Sequence, residues 1–441
     1  MSAANPVEIG RGVHRKVNIR IVVVIMAMII LSSIDRGNIS FAALQMNKEL
    51  GLSDKAYGFG ASIFFFGYIL FQIPTMMLLK RIGARRWIFL TVTVWGVVAT
   101  LMAFIQNATH LYTLRFLLGI AEAGFAPGCM YFITRWLPSA YRGRGVAGTM
   151  LAIPISVVIG APIAGSLLGV TSLGLPGWRW LFLMEGLPTI VFGIFALFWF
   201  IDRPRDAKWL TDEEKTWIET EIAKDDAEAI GRSGDRTGWL EILKNPLIWC
   251  CCGVWFALVT GGNGIMFWLP LAIKSMSGLS DFQTAILAAL PWVALGLGTW
   301  FIAKHSDRTQ ERFWHVGLAA LLGAAGLLAA SLSGATAVAL VFLIIGGLGL
   351  GGGQGTFWTI PFRLLSGGQG ANGVAIINLV GNIGSLLIPS VIAFLREASG
   401  GGFTWATYLM AALLMMASLL LIPIARADRR RVEGGTASAT A

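Results

Sequence analysis

Charged residues, histidines and cysteines are all scarce in this sequence of 441 residues. Only 13% of the residues are charged, whereas a soluble domain carries about 25%. The four histidines show no metal-ligand spacing, and the four cysteines lie in or beside apolar runs, which argues against a metal centre and a disulfide framework. No nucleophile–base pair and no phosphate-binding loop is present. We therefore expect neither an enzyme nor a protein with a cofactor.

Apolar residues, in contrast, make up 56% of the chain. They recur in runs of about 20 residues, the length that crosses a bilayer as a helix. The runs fall at 20–42, 58–79, 87–106, 110–133, 145–169, 179–201, 247–270, 282–303, 314–332, 336–359, 371–395 and 403–425. The sequence therefore predicts an all-α membrane protein with twelve transmembrane helices and the lipid bilayer as its surroundings.

A polar stretch at 202–245 divides these runs into two groups of six, and the two halves contain similar sequences at equivalent places. "LLKRIGARRW" follows the second run, and "AKHSDRTQERFW" stands at the equivalent place after the eighth. Parallel six-helix halves around a central site are one of the transporter architectures that are built from repeats. The predicted segments are an N-terminal segment 1–19, bundles 20–201 and 246–425, a central loop 202–245 and a tail 426–441.

The basic residues concentrate in one set of connections, which explains the net charge of +10 without a nucleic-acid partner. Examples are Lys80, Arg81, Arg85 and Arg86 after the second run, whereas the opposite connections contain almost no Arg or Lys. Connections on the cytoplasmic side carry such an excess. We expect both termini and the central loop in the cytoplasm, in a multi-pass protein of the inner (plasma) membrane.

The acids within the predicted spans are Asp35, Glu122 and Glu185, and the arginines that lie deep within a span are Arg36 and Arg115. Charges at this depth are costly and usually functional, although a static ion-pair network that fixes helix packing is the alternative. Arg115 and Glu122 are seven residues apart, which places them on one helix face about 10 Å apart. Glu185 stands near a helix start, where pairing with Arg179 or capping would explain it, so it is not included among the candidates.

Two acids and two arginines suggest how an anion is coupled to protons. Arginine binds carboxylates through its planar pair of donors and stays charged. If Asp35 or Glu122 takes up a proton, Arg36 or Arg115 is released to bind a substrate carboxylate. The sequence thus favours proton coupling at Asp35 and Glu122 and substrate binding at Arg36 and Arg115.

Further polar and aromatic residues at depth are candidate substrate contacts. Tyr68 and Gln72 share one helix face, as do Asn378 and Asn382. Asn263 and Gln354 lie among glycines, which let a helix unwind or pack closely, and Trp358 precedes a proline by three residues. For each of these residues, ordinary helix packing is an equally good explanation.

Several motifs of the sequence resemble those of a known family. The motifs "DRGNIS", "GYILFQIP", "RFLLGIAEAGFAPG", "FWLP", "HSDRTQERFWHV" and "INLVGNIGSLLIP" are similar to those of the anion:cation symporters of the major facilitator superfamily. The phthalate, tartrate and hydroxyphenylacetate permeases are the most similar branch. The resemblance covers nearly all of residues 20–425.

The resemblance implies alternating access and proton-driven uptake of an organic anion. It implies a proton-carrying role for Asp35 and Glu122, carboxylate binding at Arg36, a role for Arg115, and substrate contacts from Tyr68 and from Asn378 or Asn382. Two departures stand out. The fifth helix has Ile153 and Pro154 where hexonate transporters have a glutamine, which favours a less hydroxylated acid, and Lys80 stands where many members have an aspartate.

The function that the sequence predicts is proton-coupled import of a small organic carboxylate by a monomer. An anion exchanger, which would need the arginines but not the acids, is the first alternative. An anion-binding membrane sensor that moves nothing across the bilayer is the second, and the chain shows no appended signalling domain for it. The sequence leaves the choice of carboxylate and the proton stoichiometry open.

Overall fold

The computed structural model describes residues 6–142, 152–232, 239–333, 336–364 and 369–439. Within these ranges the regular structure is helical, and no strand is present. The helices are α1 (Pro6–Val17), α2 (Val23–Glu49), α3 (Asp54–Ile82), α4 (Ala84–Leu101), α5 (Ala108–Glu122), α6 (Phe125–Thr134), α7 (Ala152–Leu168), α8 (Gly177–Trp199), α9 (Asp212–Arg232), α10 (Trp239–Lys244), α11 (Pro246–Ser277), α12 (Asp281–Thr309), α13 (Phe313–Leu332), α14 (Thr336–Phe357), α15 (Thr359–Leu364), α16 (Gln369–Ala398) and α17 (Thr404–Ala439).

Eleven stretches in the described part of the chain are long and apolar enough to cross a membrane. The shorter apolar helix α7 occupies the place of the fifth predicted span, whose first residues, 145–151, lie outside the described residues. The prediction of an all-α protein with twelve membrane helices is confirmed. Parts of three other predicted segments, residues 1–5, 233–238 and 440–441, also lie outside the described ranges.

The chain divides into two compact units. The first contains residues 1–45 and 66–232, and the second contains residues 46–65 and 233–441. The beginning of α3 thus belongs to the second unit, where the Tyr57 hydroxyl donates to the Phe267 carbonyl at 2.6 Å. The predicted division of the chain at 202–245 into two six-helix bundles stays a prediction.

In the first unit, α4 packs against α8 through small residues on both helices. A Cβ atom on Gly96 would lie 2.8 Å from the Ile190 amide nitrogen, and one on Gly193 would lie 2.5 Å from the Thr93 hydroxyl. Glycine lets membrane helices approach until their backbones touch, and van der Waals packing is the main attraction between helices in lipid. The close contact of α4 and α8 fixes the position of Trp95, which lies on α4.

In the second unit, α14 packs against both α12 and α13, and α11 packs against α16 and α17. The glycine-rich sequence "GGLGLGGGQG" belongs to α14, which continues through it as a helix. Its glycines stand against backbone atoms of both neighbours, with Gly351 facing the Leu295 carbonyl and Gly349 facing α13. The sequence allowed two roles for this glycine cluster, unwinding of the helix and close packing. In the structure the helix is continuous, and the glycines allow close packing.

Candidate functional site

The fourth predicted span is interrupted next to its glutamate. We expected one helix over 110–133, but the structure ends α5 at Glu122 and begins α6 at Phe125. The carbonyl of Gly124, within the break, accepts a hydrogen bond from Trp87 Nε1 at 3.0 Å. A side chain at Gly124 would collide with Trp87 and with Thr75. The break leaves the Glu122 carboxylate at the negative end of the α5 dipole, where a cation is needed beside it.

Arg36 on α2 supplies that cation. Its Nη2 donates to Glu122 Oε2 at 2.8 Å, and the Ser32 hydroxyl donates to the same oxygen at 3.2 Å. The Glu122 side chain is 1% exposed, whereas that of Arg36 is 29% exposed. The Arg36 guanidinium also lies 5.4 Å from the centre of the Tyr68 ring, a cation–π distance. The pair therefore joins a fully buried acid to an arginine that remains partly accessible.

Asp35 has different partners, although it precedes Arg36 in the sequence. Its Oδ2 accepts a hydrogen bond from Trp95 Nε1, and Asn38 Nδ2 approaches Oδ1 at 3.4 Å. Consecutive helix residues do not share a face, so Asp35 and Arg36 point into different surroundings. Asp35 and Trp95 are both buried. The pairing with Trp95 was missed from the sequence, because a tryptophan within "TVTVWGVV" shows no sign of a polar role.

Arg115 is buried on α5, the helix that ends in Glu122, and its charge acts on Asp35. The sequence left open which arginine serves which acid. In the structure, the ion pair of Glu122 is the one with Arg36. Arg115 is thus a second positive charge within the spans of the first unit.

Glu185 on α8 is a third buried carboxylate of this unit. The suggested pairing with Arg179 is wrong, because Arg179 donates instead to the carbonyls of Ala103 and Ile105, at 2.7 and 3.3 Å. Among the described residues, neither oxygen of Glu185 has a hydrogen-bond partner. A buried carboxylate without donors inside a membrane span is not explained by packing alone, and such residues are usually functional. We now include it with the candidate proton sites.

The connection between α3 and α4 is hydrogen-bonded to an acidic residue that lies far away in the sequence. Lys80 stands where an aspartate is common, but Asp202, just after α8, accepts a hydrogen bond from the Arg85 amide at 2.9 Å. Gly83 makes the turn with a φ of +85°, a conformation that glycine adopts without strain. An acid at the start of α4 also complements the positive end of that helix.

In the second unit, two of the predicted amides connect neighbouring helices. Asn263 Nδ2 on α11 donates to the Ser385 hydroxyl on α16 at 2.9 Å and to the Val259 carbonyl at 3.1 Å. Gln354 Nε2 on α14 donates to the Leu258 carbonyl on α11 at 2.9 Å. Both amide nitrogens thus contribute to helix packing, which was the alternative explanation for these residues.

Trp358 belongs to an aromatic cluster that lines the same unit. Its ring lies 4.8 Å from that of Trp255 and 5.4 Å from that of Phe357, between centroids. Trp255 stacks on Phe357 at 5.1 Å, and Gly381 makes room for Trp255 on α16. The cluster is aromatic and closely packed, which suits an organic ligand with apolar surface.

Three further candidates, Gln72, Asn378 and Asn382, are half-buried. Within the described residues, no side-chain hydrogen bond is formed by Asn378 or Asn382. Their amides are therefore available to a ligand, and the choice between them stays open. The structure brings Arg36, Glu122 and Tyr68 together in the first unit and joins Asn263 to α16 in the second. The roles of all these residues in binding stay predictions.

Comparison with known proteins places these features in a family. The profile of the Major Facilitator Superfamily matches residues 25–389. A "Putative tartrate transporter" of Agrobacterium vitis is 40% identical, over 97% of this chain and 94% of its own length. A "Quinolone resistance transporter" of Acinetobacter baumannii is 34% identical, over 96% and 97%. The crystal structure of a bacterial homologue of the human lysosomal transporter Spinster has a TM-score of 0.76 at 18% identity, covering 93% of this chain and 97% of that one.

Proposed function

The chain belongs to the major facilitator superfamily, and within it we propose that this protein imports a small organic carboxylate together with protons. The observation that carries the proposal is the pair of a buried glutamate and a partly exposed arginine, Glu122 and Arg36. An arginine that only fixed the fold would be expected to bury its guanidinium as Glu122 buries its carboxylate. A guanidinium carries five N–H donors, so a partly exposed Arg36 side chain can bind a second carboxylate in addition to Glu122.

In the proposed cycle, a proton and the substrate compete for this pair. While Glu122 is ionised, its carboxylate neutralises Arg36. When Glu122 takes up a proton, Arg36 loses its counter-ion and becomes the favoured partner for the substrate carboxylate. Release of the proton on the other side restores the Arg36–Glu122 pair and expels the anion. Alternating access, which is general in the superfamily, would move the loaded site from one side to the other.

Asp35 is the second proposed proton carrier. The hydrogen bond from Trp95 stabilises the ionised form of Asp35, so protonation of Asp35 is coupled to the contact between α2 and α4. If more protons than substrate charges are moved, the membrane potential contributes about 2.3 kcal/mol per net charge per 100 mV. Import is then driven by both the pH gradient and the potential.

We propose tartrate as the first substrate to test, since two putative tartrate transporters are about two-fifths identical to this chain. The lack of an amide at Ile153 favours a less hydroxylated acid, so aromatic monocarboxylates belong in the same panel. The excess of arginine and lysine in one set of connections supports an inner-membrane protein with both termini in the cytoplasm.

Ligand binding by the purified protein tests the proposal. Thermal shifts at mildly acidic pH would be measured with tartrate, phthalate, hydroxyphenylacetate, a hexonate and neutral sugars. We expect stabilisation by one carboxylate, loss of that shift in Arg36→Ala, and no loss in the control Arg205→Gln, which removes an exposed arginine outside the spans. Stabilisation by neutral sugars alone, equal in all three proteins, would contradict a carboxylate site at Arg36.

An exchanger uses the same arginine without the acids, so it is separated by flux measurements. Retained uptake with unchanged pH dependence in Asp35→Asn and Glu122→Gln would favour exchange over proton coupling. Specific binding without any flux in liposomes would favour a sensor.

A further inference from the structure

A cavity of about 750 Å³ lies in the second unit, between the beginning of α13 and the middle of α17. Its lining has two parts. The polar part contains four arginines, Arg312, Arg363, Arg426 and Arg429, and two acids, Glu311 and Asp428. The apolar part consists of side chains that follow each other along one face of α13 and of α17: Trp314, Leu318, Leu321, Leu419 and Ile422.

The apolar part is open to the surroundings of the bundle. Trp314 is 62% exposed, Leu318 58% and Leu419 64%. All three lie in stretches that are long and apolar enough to cross a membrane, so their exposed surface faces lipid hydrocarbon. Tryptophan near a helix end is typical of the interface between headgroups and acyl chains. The cavity therefore opens sideways into the bilayer, near one membrane surface.

The arginines differ in how far they are already paired. Arg363 forms an ion pair with Asp428 at 2.9 Å, and Arg312 donates to Asp307 at 2.5 Å and to Ser306 at 3.1 Å. Glu311 is used at the start of α13, where its carboxylate accepts the Trp314 amide at 2.9 Å.

Arg426 and Arg429, in contrast, are exposed and form no ion pair with a described residue. They lie three apart on α17, hence on one face of the helix. The cavity thus has a positive side with two unpaired guanidinium groups, directly beside an apolar wall.

We propose that this cavity binds one anionic phospholipid, with the phosphate on Arg426 and Arg429 and an acyl chain along Trp314, Leu318 and Leu419. Guanidinium groups bind phosphate oxygens through paired donors, and basic pockets between membrane helices bind anionic headgroups. The asymmetry of basic residues explains why arginines occur at this end of the bundle, but it does not explain a cavity with a continuous apolar wall. In the orientation proposed above, the lipid belongs to the cytoplasmic leaflet.

Native mass spectrometry of the full chain in detergent tests the proposal. The probes are dioleoyl phosphatidylglycerol and dioleoyl phosphatidylcholine, added at equal concentrations. We expect the protein to retain phosphatidylglycerol at least about tenfold better, and the double variant Arg426→Gln/Arg429→Gln to lose about 10- to 30-fold of that binding, on the basis of the contribution of each basic residue near an anionic surface.

Arg81→Gln/Arg86→Gln is the matched control, because it removes two exposed arginines from a connection of the first unit, and neither of them lines the cavity. We expect it to retain the lipid as the unchanged protein does. Equal losses in the two double variants would mean that general surface charge attracts the lipid, and would overturn the proposal. A thermal melt of each variant shows whether it is folded.

Two further arms test the cavity itself. Ala425→Trp places a large side chain in the cavity without changing any charge. We expect this variant to bind phosphatidylglycerol about tenfold more weakly. Retention of the lipid by this variant would contradict binding inside the cavity. Inorganic phosphate and glycerol 3-phosphate are expected not to displace the lipid at equal concentration, since they cannot use the apolar wall. Displacement by either would indicate a site for soluble anions instead. None of these readouts depends on transport, so the outcome is independent of the proposed function.

Discussion

The two units of the molecule differ in the charged side chains that they bury. In the described part of the first unit, four acidic or basic side chains within the membrane spans are buried: Asp35, Arg115, Glu122 and Glu185. In the second, the buried carboxylate among the described residues is Asp428, which lies near the end of α17 and is paired with Arg363. The middle of the second unit offers amides and aromatic rings instead. The buried charges on which the proposed proton coupling depends thus lie in one unit, while the middle of the other supplies neutral contacts and close helix packing.

The largest effect is expected from removing Arg36. Arg36→Ala leaves the Glu122 carboxylate buried without its cation, which costs about 3 kcal/mol of stability and abolishes carboxylate binding. Adding Glu122→Gln removes the unpaired charge, so the double variant should regain most of the stability but no binding. The measurements are the thermal midpoint and a ligand-induced shift for each variant. If the double variant binds substrate as the unchanged protein does, Arg36 has only a structural role.

The packing of the second unit predicts the next effect. A methyl group on Gly351 would collide with the Leu295 carbonyl on α12, so Gly351→Ala should cost about 1–3 kcal/mol and lower the yield of folded protein. Gly346→Ala is the control on the same helix, because the nearest atom to the new Cβ, the Gly323 carbonyl oxygen, is 3.4 Å away. Thermal midpoints of both variants decide the matter. Equal midpoints would mean that α12 and α14 are less closely packed than described.

A smaller effect is expected from Trp95→Phe, which removes the donor to Asp35 and keeps most of the ring. Without that donor, the ionised form of Asp35 is less stable by about 1.5–3 kcal/mol, and the pH of half-maximal uptake should move upwards. Asn263→Ala removes a neutral hydrogen bond in the second unit and should leave the pH profile unchanged. Identical pH profiles in the unchanged protein, Trp95→Phe and Asn263→Ala would contradict a role for Asp35 in proton coupling.

The smallest effect is expected from removing an ion pair between α1 and α9 in the first unit. Lys16 Nζ donates to both carboxylate oxygens of Glu214 at 2.8 Å, which joins α1 to α9. Burial alone would raise the pKa of Glu214, but the hydrogen bond from Lys16, the Thr211 amide and the Lys16 charge together lower it.

The stability that this contact contributes is therefore present above the ordinary pKa of Glu214 and is lost as the pH falls through the lowered pKa. Lys16→Ala should reduce the unfolding free energy by about 0.5 kcal/mol at neutral pH. This deficit should disappear in acid, as measured by thermal melts between neutral pH and pH about 3, below the model-peptide pKa of glutamate. A deficit that stays constant over that range would contradict a role for the ionised pair.

Much of this arrangement follows from the sequence, because membrane helices need long apolar runs and buried charges are rare. The positions of the spans, and the choice of Arg36 and Glu122 as candidates, rest on these two constraints. The contact of Trp95 with Asp35 and that of Asp202 with the start of α4 depend on how distant helices approach each other. Neither is encoded in a local pattern. The break at Gly124 was missed because an apolar run has the same composition whether its helix is continuous or interrupted.

Proton movement during uptake tests the central claim most directly. The protein would be reconstituted into liposomes with a pH-sensitive dye inside, and tartrate, or whichever carboxylate gives the thermal shift, would be added outside. We expect substrate addition to acidify the lumen of liposomes that contain the unchanged protein and to leave the lumen unchanged with Glu122→Gln. Substrate uptake at the same rate in both, without any change of internal pH, would contradict the account and show that Glu122 carries no proton.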